Sequence, residues 1–321
     1  MQHSREFLLD CYRSMVTIRA FEERVHDEFA AGKIPGFVHL YAGEEASAVG
    51  ICSHLDNRDA IASTHRGHGH CIAKGCDVGE MMKEIYGKRG GSCGGKGGSM
   101  HIADLSKGML GANGIVGGGP PLVCGAALTA KYLKTGGVAV AFGGDGASNQ
   151  GTTLESFNLA KVWDLPVVFV VEDNGYAEAT SSSWSVAGSQ LGRAAGFGMP
   201  GVQVDGTDFF AVHDAARTAI ERARNGGGPS LLHVKLMRIF GHFEGDAMTY
   251  RAEGEVKKLR EDHDCLKIFR RRVTEASLLD DSTLDAIEAN VARSIDEAVS
   301  AAEADLPPSE ADLLTDVYVR Y

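Results

Sequence analysis

The stretch Val138-Ala-Val-Ala-Phe-Gly-Gly-Asp-Gly146 decides how this chain folds. Val138 to Phe142 is an apolar run of strand length, and glycines follow at once. Downstream, Thr153 to Trp163 has helical spacing, and Pro166 opens a second apolar run, Val167-Val-Phe-Val-Val171. Strand, helix and strand over this distance make a βαβ unit, and runs without polar alternation belong to strands buried on both faces of a parallel sheet. Two more strands are expected at Val202–Val204 and Ser230–Leu236, with a helix Phe209–Arg224 between them. The alternation specifies an α/β fold: a doubly wound, mostly parallel sheet with helices on both faces.

Upstream, Phe7, Leu8, Tyr12, Met15, Ile18, Phe21 and Val25 fall near one face of a helix that should end at Ala31-Gly32. From Pro35 to Gly119 the chain is broken by glycines, with short helical pieces expected at Glu44–His54 and Val78–Tyr86. Gly87 to Gly98 reads as an ordered irregular loop. Beyond Ala252 the chain is charged and helical, with Ser282–Ala304 a second amphipathic stretch. Without an internal repeat or a separating linker, one domain over 1–321 is expected, with helical extensions over about 1–32 and 252–321.

Of the 321 residues, 44% are hydrophobic and 23% charged, as in globular proteins. The longest apolar run, Leu165 to Val171, is far short of the roughly 20 residues of a membrane span. The mixed-charge N-terminus lacks the zones of a secretory signal, which points to the cytoplasm. A formal charge of -11 disfavours a nucleic-acid partner, although a few placed donors still suffice for one phosphate group. Seven cysteines without a C-x-x-C pair read as reduced thiols.

The chemistry sits at the strand ends. In open α/β sheets ligands bind beyond the carboxyl ends of the strands. Asp145 follows one strand, and Asn174, 29 residues later, follows the next. Two oxygen-bearing side chains on one rim suit Mg²⁺, which takes oxygen ligands and commonly shares them with phosphates. Glycines beside Asp145 let backbone approach a phosphate, and the next helix directs free N–H groups to the same point. Taken singly, each residue has a plainer reading: Asp145 as a helix cap, Asn174-Gly175 as a turn.

Gly144-Asp145-Gly146, followed by Asp173-Asn-Gly-Tyr176, resembles the thiamine-diphosphate motif. More specifically, the chain resembles the α subunits of 2-oxo acid and acetoin dehydrogenase complexes. The likeness runs nearly its full length, through Tyr41-Ala-Gly-Glu-Glu-Ala46, His65-Arg-Gly-His-Gly69, Gly97-Gly-Ser-Met-His101, Asn113-Gly-Ile-Val-Gly117, Gly143 to Gly151, and Gly241-His242. The resemblance implies that Asp145, Asn174 and the Tyr176 carbonyl bind Mg²⁺. It implies that Arg66 and His242, with the backbone of Gly146 and Ala147, hold the diphosphate, and that Gly114 and Val116 hold the aminopyrimidine through their backbones. His65 stands where many relatives have tyrosine and can still donate to phosphate. The glutamate that activates the coenzyme is implied to lie on a β subunit of an α2β2 heterotetramer, so the isolated chain is expected to be inactive. Glu44 and Glu45 read as structural or substrate-side contacts.

The implied reaction is acetoin cleavage to acetaldehyde and an acetyl unit, passed to the lipoyl arm of a dihydrolipoyl acetyltransferase. Gly241-His-Phe-Glu-Gly-Asp246 with Tyr250-Arg251 is similar to acetoin enzymes. Many pyruvate enzymes have serine where Phe243 stands, and pyruvate or a branched 2-oxo acid is the runner-up substrate. A noncatalytic nucleotide-binding protein is the rival of another class.

His65, His68 and His70 invite a zinc reading, but no clear further ligand accompanies them. His68 and His242 are expected to act at the active site, and His70 to be structural. Two glycine patterns are discounted. Gly90 to Lys96 matches most of a P-loop, but Gly97 replaces its Ser/Thr and no strand precedes it. Gly144-x-Gly146-x-x-Asn149 lacks the final small residue of a dinucleotide fingerprint.

Overall fold

The computed structural model describes residues 3–317, so the outermost ends of both expected extensions, 1–2 and 318–321, lie outside the described residues. The chain opens with α1 (Arg5–Ala30), capped by Ser4, whose hydroxyl accepts from Phe7 N at 3.1 Å. Leu8, Tyr12, Met15, Ile18, Phe21 and Val25 form its buried face, as the spacing predicts.

Next come α2 (Glu45–Cys52), β1 (Ala60–Ala62), α3 (His68–Ala73), α4 (Val78–Ile85) and β2 (Met109–Gly111). The central unit is α5 (Gly119–Leu133), β3 (Ala139–Gly144), α6 (Gly151–Val162) and β4 (Val167–Asp173). A two-residue hairpin, β5 (Tyr176–Ala177) and β6 (Thr180–Ser181), leads into α7 (Ser182–Ser185) and α8 (Gln190–Gly196). Then follow β7 (Gly201–Asp205), α9 (Phe209–Arg224), β8 (Ser230–Lys235), α10 (Glu255–Asp262), α11 (Cys265–Glu275) and α12 (Asp281–Ala304).

Six strands make one sheet in the order β2-β1-β3-β4-β8-β7, every neighbouring pair parallel. Side-chain alternation divides its two faces. Val140, Phe142, Val168, Val170, Leu232 and Val234 face the core completed by α1, α2, α9 and α12. Ala139, Ala141, Val167, Phe169, Val171 and Leu231 face the core under α5, α6 and α8. Burying each large side chain contributes ~1.5–3 kcal/mol, which secures the α/β layering.

The four strands expected from Val138 onward are present, but two others correct the reading of Pro35–Gly119. β1 and β2, three residues each, lie inside that glycine-broken region and complete the sheet. α5 was likewise not anticipated, although Pro120 and Pro121 in its first turn are a helix-start signal. No helix among the described residues is long and apolar enough to cross a membrane.

The winding direction matters for the site. From β1 the chain steps outward to β2, then returns across β1 to β3 and continues the other way. The loops leaving β1 and β3 therefore diverge, opening a crevice at their carboxyl ends.

Candidate cofactor and metal site

That crevice holds a cavity of about 370 Å³, within the size range of small-molecule sites. Its wall is built from the segments after five strands and from the turn before α2. Ser63 to Arg66 follow β1, Asn113 to Gly117 follow β2, Gly144 ends β3 and Asp145 to Ser148 follow it, and Asn174 with Tyr176 to Glu178 follow β4. His39 and Glu44 come from the segment before α2, and Arg238 and His242 from the segment after β8. Asp145, Asn174, Tyr176, Gly146, Ala147, Arg66, His65, Gly114, Val116 and His242 thus share one cavity wall.

The Asp145 turn is held from behind. Ser148 Oγ donates to Asp145 O at 2.6 Å, and Thr153 Oγ1 to Ala147 O at 2.8 Å. From α8, Gln190 Nε2 reaches Ser148 Oγ at 2.8 Å and Arg193 reaches Ser148 O at 2.8 Å. A Cβ on Gly146 would lie 2.6 Å from Ala177 Cβ, so only glycine lets the β3 and β4 loops meet this closely. Fixed in this way, the Asp145 side chain is almost wholly buried, and its Oδ2 has no hydrogen-bond partner. Burial, then the nearby Asp173 carboxylate, push its pKa up to about 6; the N–H groups of Asp145 and Gly146 oppose the rise. A buried, unpartnered carboxylate oxygen is costly unless a cation answers it.

Asn174 supplies the second oxygen. Its Nδ2 donates to Glu44 Oε1 at 3.0 Å, which fixes the amide so that Oδ1 is the free end; Oδ1 receives only a long bond, 3.3 Å, from Tyr176 N. Carboxylate, amide and main-chain oxygens in one cavity are the donor set of a hard divalent cation, and the residues present fit Mg²⁺. Glu44 itself is buried. Burial and Glu172 push its pKa up to about 7 against the pull of Arg66, with Asn174 also stabilising its charged form. Glu45 has turned away: it pairs with Arg19 at 2.6 Å and accepts from Gly43 N at 3.0 Å.

The opposite wall is cationic and aromatic. Arg66 donates to the carbonyls of Leu40 and His242, the latter at 2.8 Å, and burial lowers its pKa to about 10. Arg238, nearly fully buried, donates to Tyr250 Oη at 2.6 Å and faces His242 Nδ1 at 3.4 Å. Since arginine can only donate, His242 Nδ1 accepts and its proton sits on Nε2. Burial and then Arg66 lower the His242 pKa to about 4, so the ring is neutral at pH 7. The turn is tied by Asp246, which accepts from His242 N at 2.7 Å and Tyr250 Oη at 2.6 Å.

Arg238 and His39 belong to this wall but were not singled out from sequence. His39 has no marked neighbour in the chain and is brought in by the sheet, whereas Arg238 stands four residues before His242 as an unpatterned arginine.

His68 is a correction. It does not line the cavity. Its Nδ1 meets Glu22 Oε2 and its Nε2 meets Ser99 Oγ, both at 2.9 Å, and it is fully buried against Phe21. With both nitrogens occupied it clasps α1 to α3, and this placement offers no catalytic contact. His70, expected to be structural, lies between Ser63 Oγ at 2.7 Å and Glu172 Oε1 at 3.2 Å, stacked on Phe142. His65, His68 and His70 therefore do not converge on a metal. The glycine loop after α4 is accounted for too: the N–H groups of Cys93, Gly95 and Gly97 (2.8 Å each) and Gly98 (3.0 Å) all donate to the buried Glu84 carboxylate. An internal anion fills the nest that a P-loop would offer to phosphate.

Residues 13–310 match the family model described as "Dehydrogenase E1 component". The chain is 65% identical to the α subunit of an acetoin:2,6-dichlorophenolindophenol oxidoreductase from Cupriavidus necator, over 99% of this chain and 96% of that one. It is 57% identical to the subunit of the same name from Bacillus subtilis, over 99% and 95%. It is 40% identical to the pyruvate dehydrogenase E1 component subunit alpha of Rhizobium meliloti, over 98% and 91%.

Proposed function

The chain belongs to the dehydrogenase E1 component family, and from that premise we propose that it is the α subunit of a thiamine-diphosphate-dependent acetoin dehydrogenase. The orphaned Asp145 oxygen beside the oriented Asn174 amide carries the cofactor reading: a buried unpaired carboxylate facing a cationic wall suits a metal diphosphate. The substrate reading is supported by likeness, since both acetoin relatives exceed the pyruvate relative in identity over similar coverage. Phe243 adds no hydroxyl to the turn at His242.

In this reading Asp145 Oδ2, Asn174 Oδ1 and the Tyr176 carbonyl hold Mg²⁺. Arg66, His65, His242 and the N–H groups of Gly146 and Ala147 hold the diphosphate, and the backbones of Gly114 and Val116 orient the aminopyrimidine. When bound, the coenzyme supplies the carbon nucleophile for cleaving acetoin to acetaldehyde and an acetyl unit. The chain's own residues neutralise phosphate charge, fix the ring and exclude water. His242 lines the cavity with its Nδ1 taken by Arg238, which leaves Nε2–H as the group of this chain best suited to hold a proton for the substrate oxygen.

The site is completed by a β subunit in an α2β2 assembly. Leu122, Leu128, Tyr132 and Leu133 on α5, with Val162 and Trp163 at the end of α6, are exposed apolar groups that suit burial in such an interface. The acetyl unit passes to the lipoyl arm of a dihydrolipoyl acetyltransferase. Seven free cysteines, six of them buried, fit a reducing cytoplasm. Co-expression with the β chain, followed by assays on acetoin, pyruvate and a branched 2-oxo acid with an artificial electron acceptor, tests the proposal. Acetoin-dependent turnover by the pair alone supports it. Turnover by the isolated chain, or a preference for pyruvate, overturns it.

A further inference from the structure

Three histidines converge on the cationic wall: His39 before α2, His65 after β1 and His242 after β8. One ligand nitrogen from each lies within 4.8 Å of the others. The rings stand at steep angles around a common centre, His39 to His65 at 65° and 4.5 Å, His39 to His242 at 82° and 5.1 Å, and His65 to His242 at 57° and 5.1 Å. His39 is more than nine-tenths buried, and its Nδ1 is unpartnered.

We propose that these three imidazoles form a tripodal site for a borderline divalent cation, zinc being the type ion, and that zinc here excludes the diphosphate. Zinc takes three histidine nitrogens at about 2.0–2.1 Å and leaves a fourth position for water or an anion. Tetrahedral geometry then requires nitrogens roughly 3.3 Å apart, so the imidazoles must turn inward on the ion to bind it. Ligand chemistry sorts the two metals in one cavity. Mg²⁺ prefers the oxygens of Asp145, Asn174 and Tyr176, whereas imidazoles suit zinc. Burial, assisted by Arg66, keeps His39, His65 and His242 in the neutral form that a metal needs. The guanidinium groups of Arg66 and Arg238 weaken the site, and the Glu44 carboxylate across the cavity partly offsets them. A tyrosine at position 65 would remove one leg of the tripod.

Exclusion rests on the reading that His65 and His242 hold the diphosphate; zinc binding does not. The test uses the full-length chain freed of metal by chelation. Calorimetry with zinc chloride should show one saturable site per chain, and Co²⁺ should give the intense visible bands of a four-coordinate ion. His39→Gln and His65→Tyr should each lose the site, whereas Asp145→Asn and Cys93→Ser should keep it. Thermal melts confirm folding of each variant, and the two histidine variants guard against a failure of either. No saturable zinc, a six-coordinate Co²⁺ spectrum, or binding indifferent to both histidine substitutions overturns the site. In the co-expressed α and β chains, thiamine diphosphate with Mg²⁺ should displace the zinc. Zinc retained beside bound coenzyme overturns the exclusion, and coenzyme that fails to bind the zinc-free pair counts against the cofactor reading instead.

Discussion

Asp145 and Asp173 stand at the carboxyl ends of neighbouring parallel strands, and the fold treats them in opposite ways. Asp173 accepts from His233 Nε2 at 2.9 Å, Lys235 Nζ at 2.8 Å and Gly175 N at 3.0 Å. Although burial works against ionisation, these partners hold its pKa well below the ordinary carboxylate value. Asp145 is buried as well, yet one oxygen has no partner and its pKa rises. A satisfied carboxylate completes the scaffold, whereas an orphaned one awaits a ligand. The same criterion separates the histidines: His68 has both nitrogens engaged, and His39 has one orphaned in the cavity.

Substitutions at the two aspartates probe this contrast. Asp145→Ala in the assembled enzyme should lower acetoin-dependent turnover by ~100-fold or more at standard Mg²⁺, because a metal ligand is lost; near-normal turnover in the steady-state assay would erase the distinction. In the metal-free chain the sign is different. The folded pKa of Asp145 is raised from 3.8 to about 6, so the folded state favours the protonated form. Its relative stabilisation is present below the ordinary value and is lost as pH rises through about 6, by at most ~3 kcal/mol. Chemical denaturation across pH 4–7 should show this fall in the wild type and a flatter profile in Asp145→Asn.

At the satisfied carboxylate the effect should be on folding. Asp173→Asn should cost ~2 kcal/mol, with Lys235 contributing little because its side chain is about half exposed. A melting temperature equal to that of the wild type would mean that these bonds are not holding the rim. The smallest effect is expected at Glu44, which touches the metal site only through Asn174. Glu44→Gln can present a donor to the Asn174 amide and let it flip, weakening coenzyme affinity ~10-fold with little change in melting. Affinity unchanged by calorimetry would show that Asn174 needs no such orientation.

Much of this was legible in the residues, and the misses have physical causes. β3, β4, α9 and α12 are long enough for periodicity to show. β1 and β2 have three residues each, less than two periods of a strand, and the glycines around them read as breaks. Asp145 and Asn174 were found because consecutive strands bring their ends together. His39 escapes a sequence reading because its ring partners, His65 and His242, lie far off in the chain; Arg238 sits only four residues before His242, but a single arginine after a strand carries no pattern of its own. His68 misled because three histidines within six residues look clustered, yet the turn into α3 sends His65 to the cavity, His68 toward α1 and His70 toward Glu172.

The most direct measurement is a calorimetric titration of thiamine diphosphate into the co-expressed α and β chains, with Mg²⁺ present or chelated, for wild type and Asp145→Ala. One site per α chain that requires both Mg²⁺ and the Asp145 carboxylate is the result this account predicts. Equal affinity with the metal removed, or in the substituted protein, would contradict it.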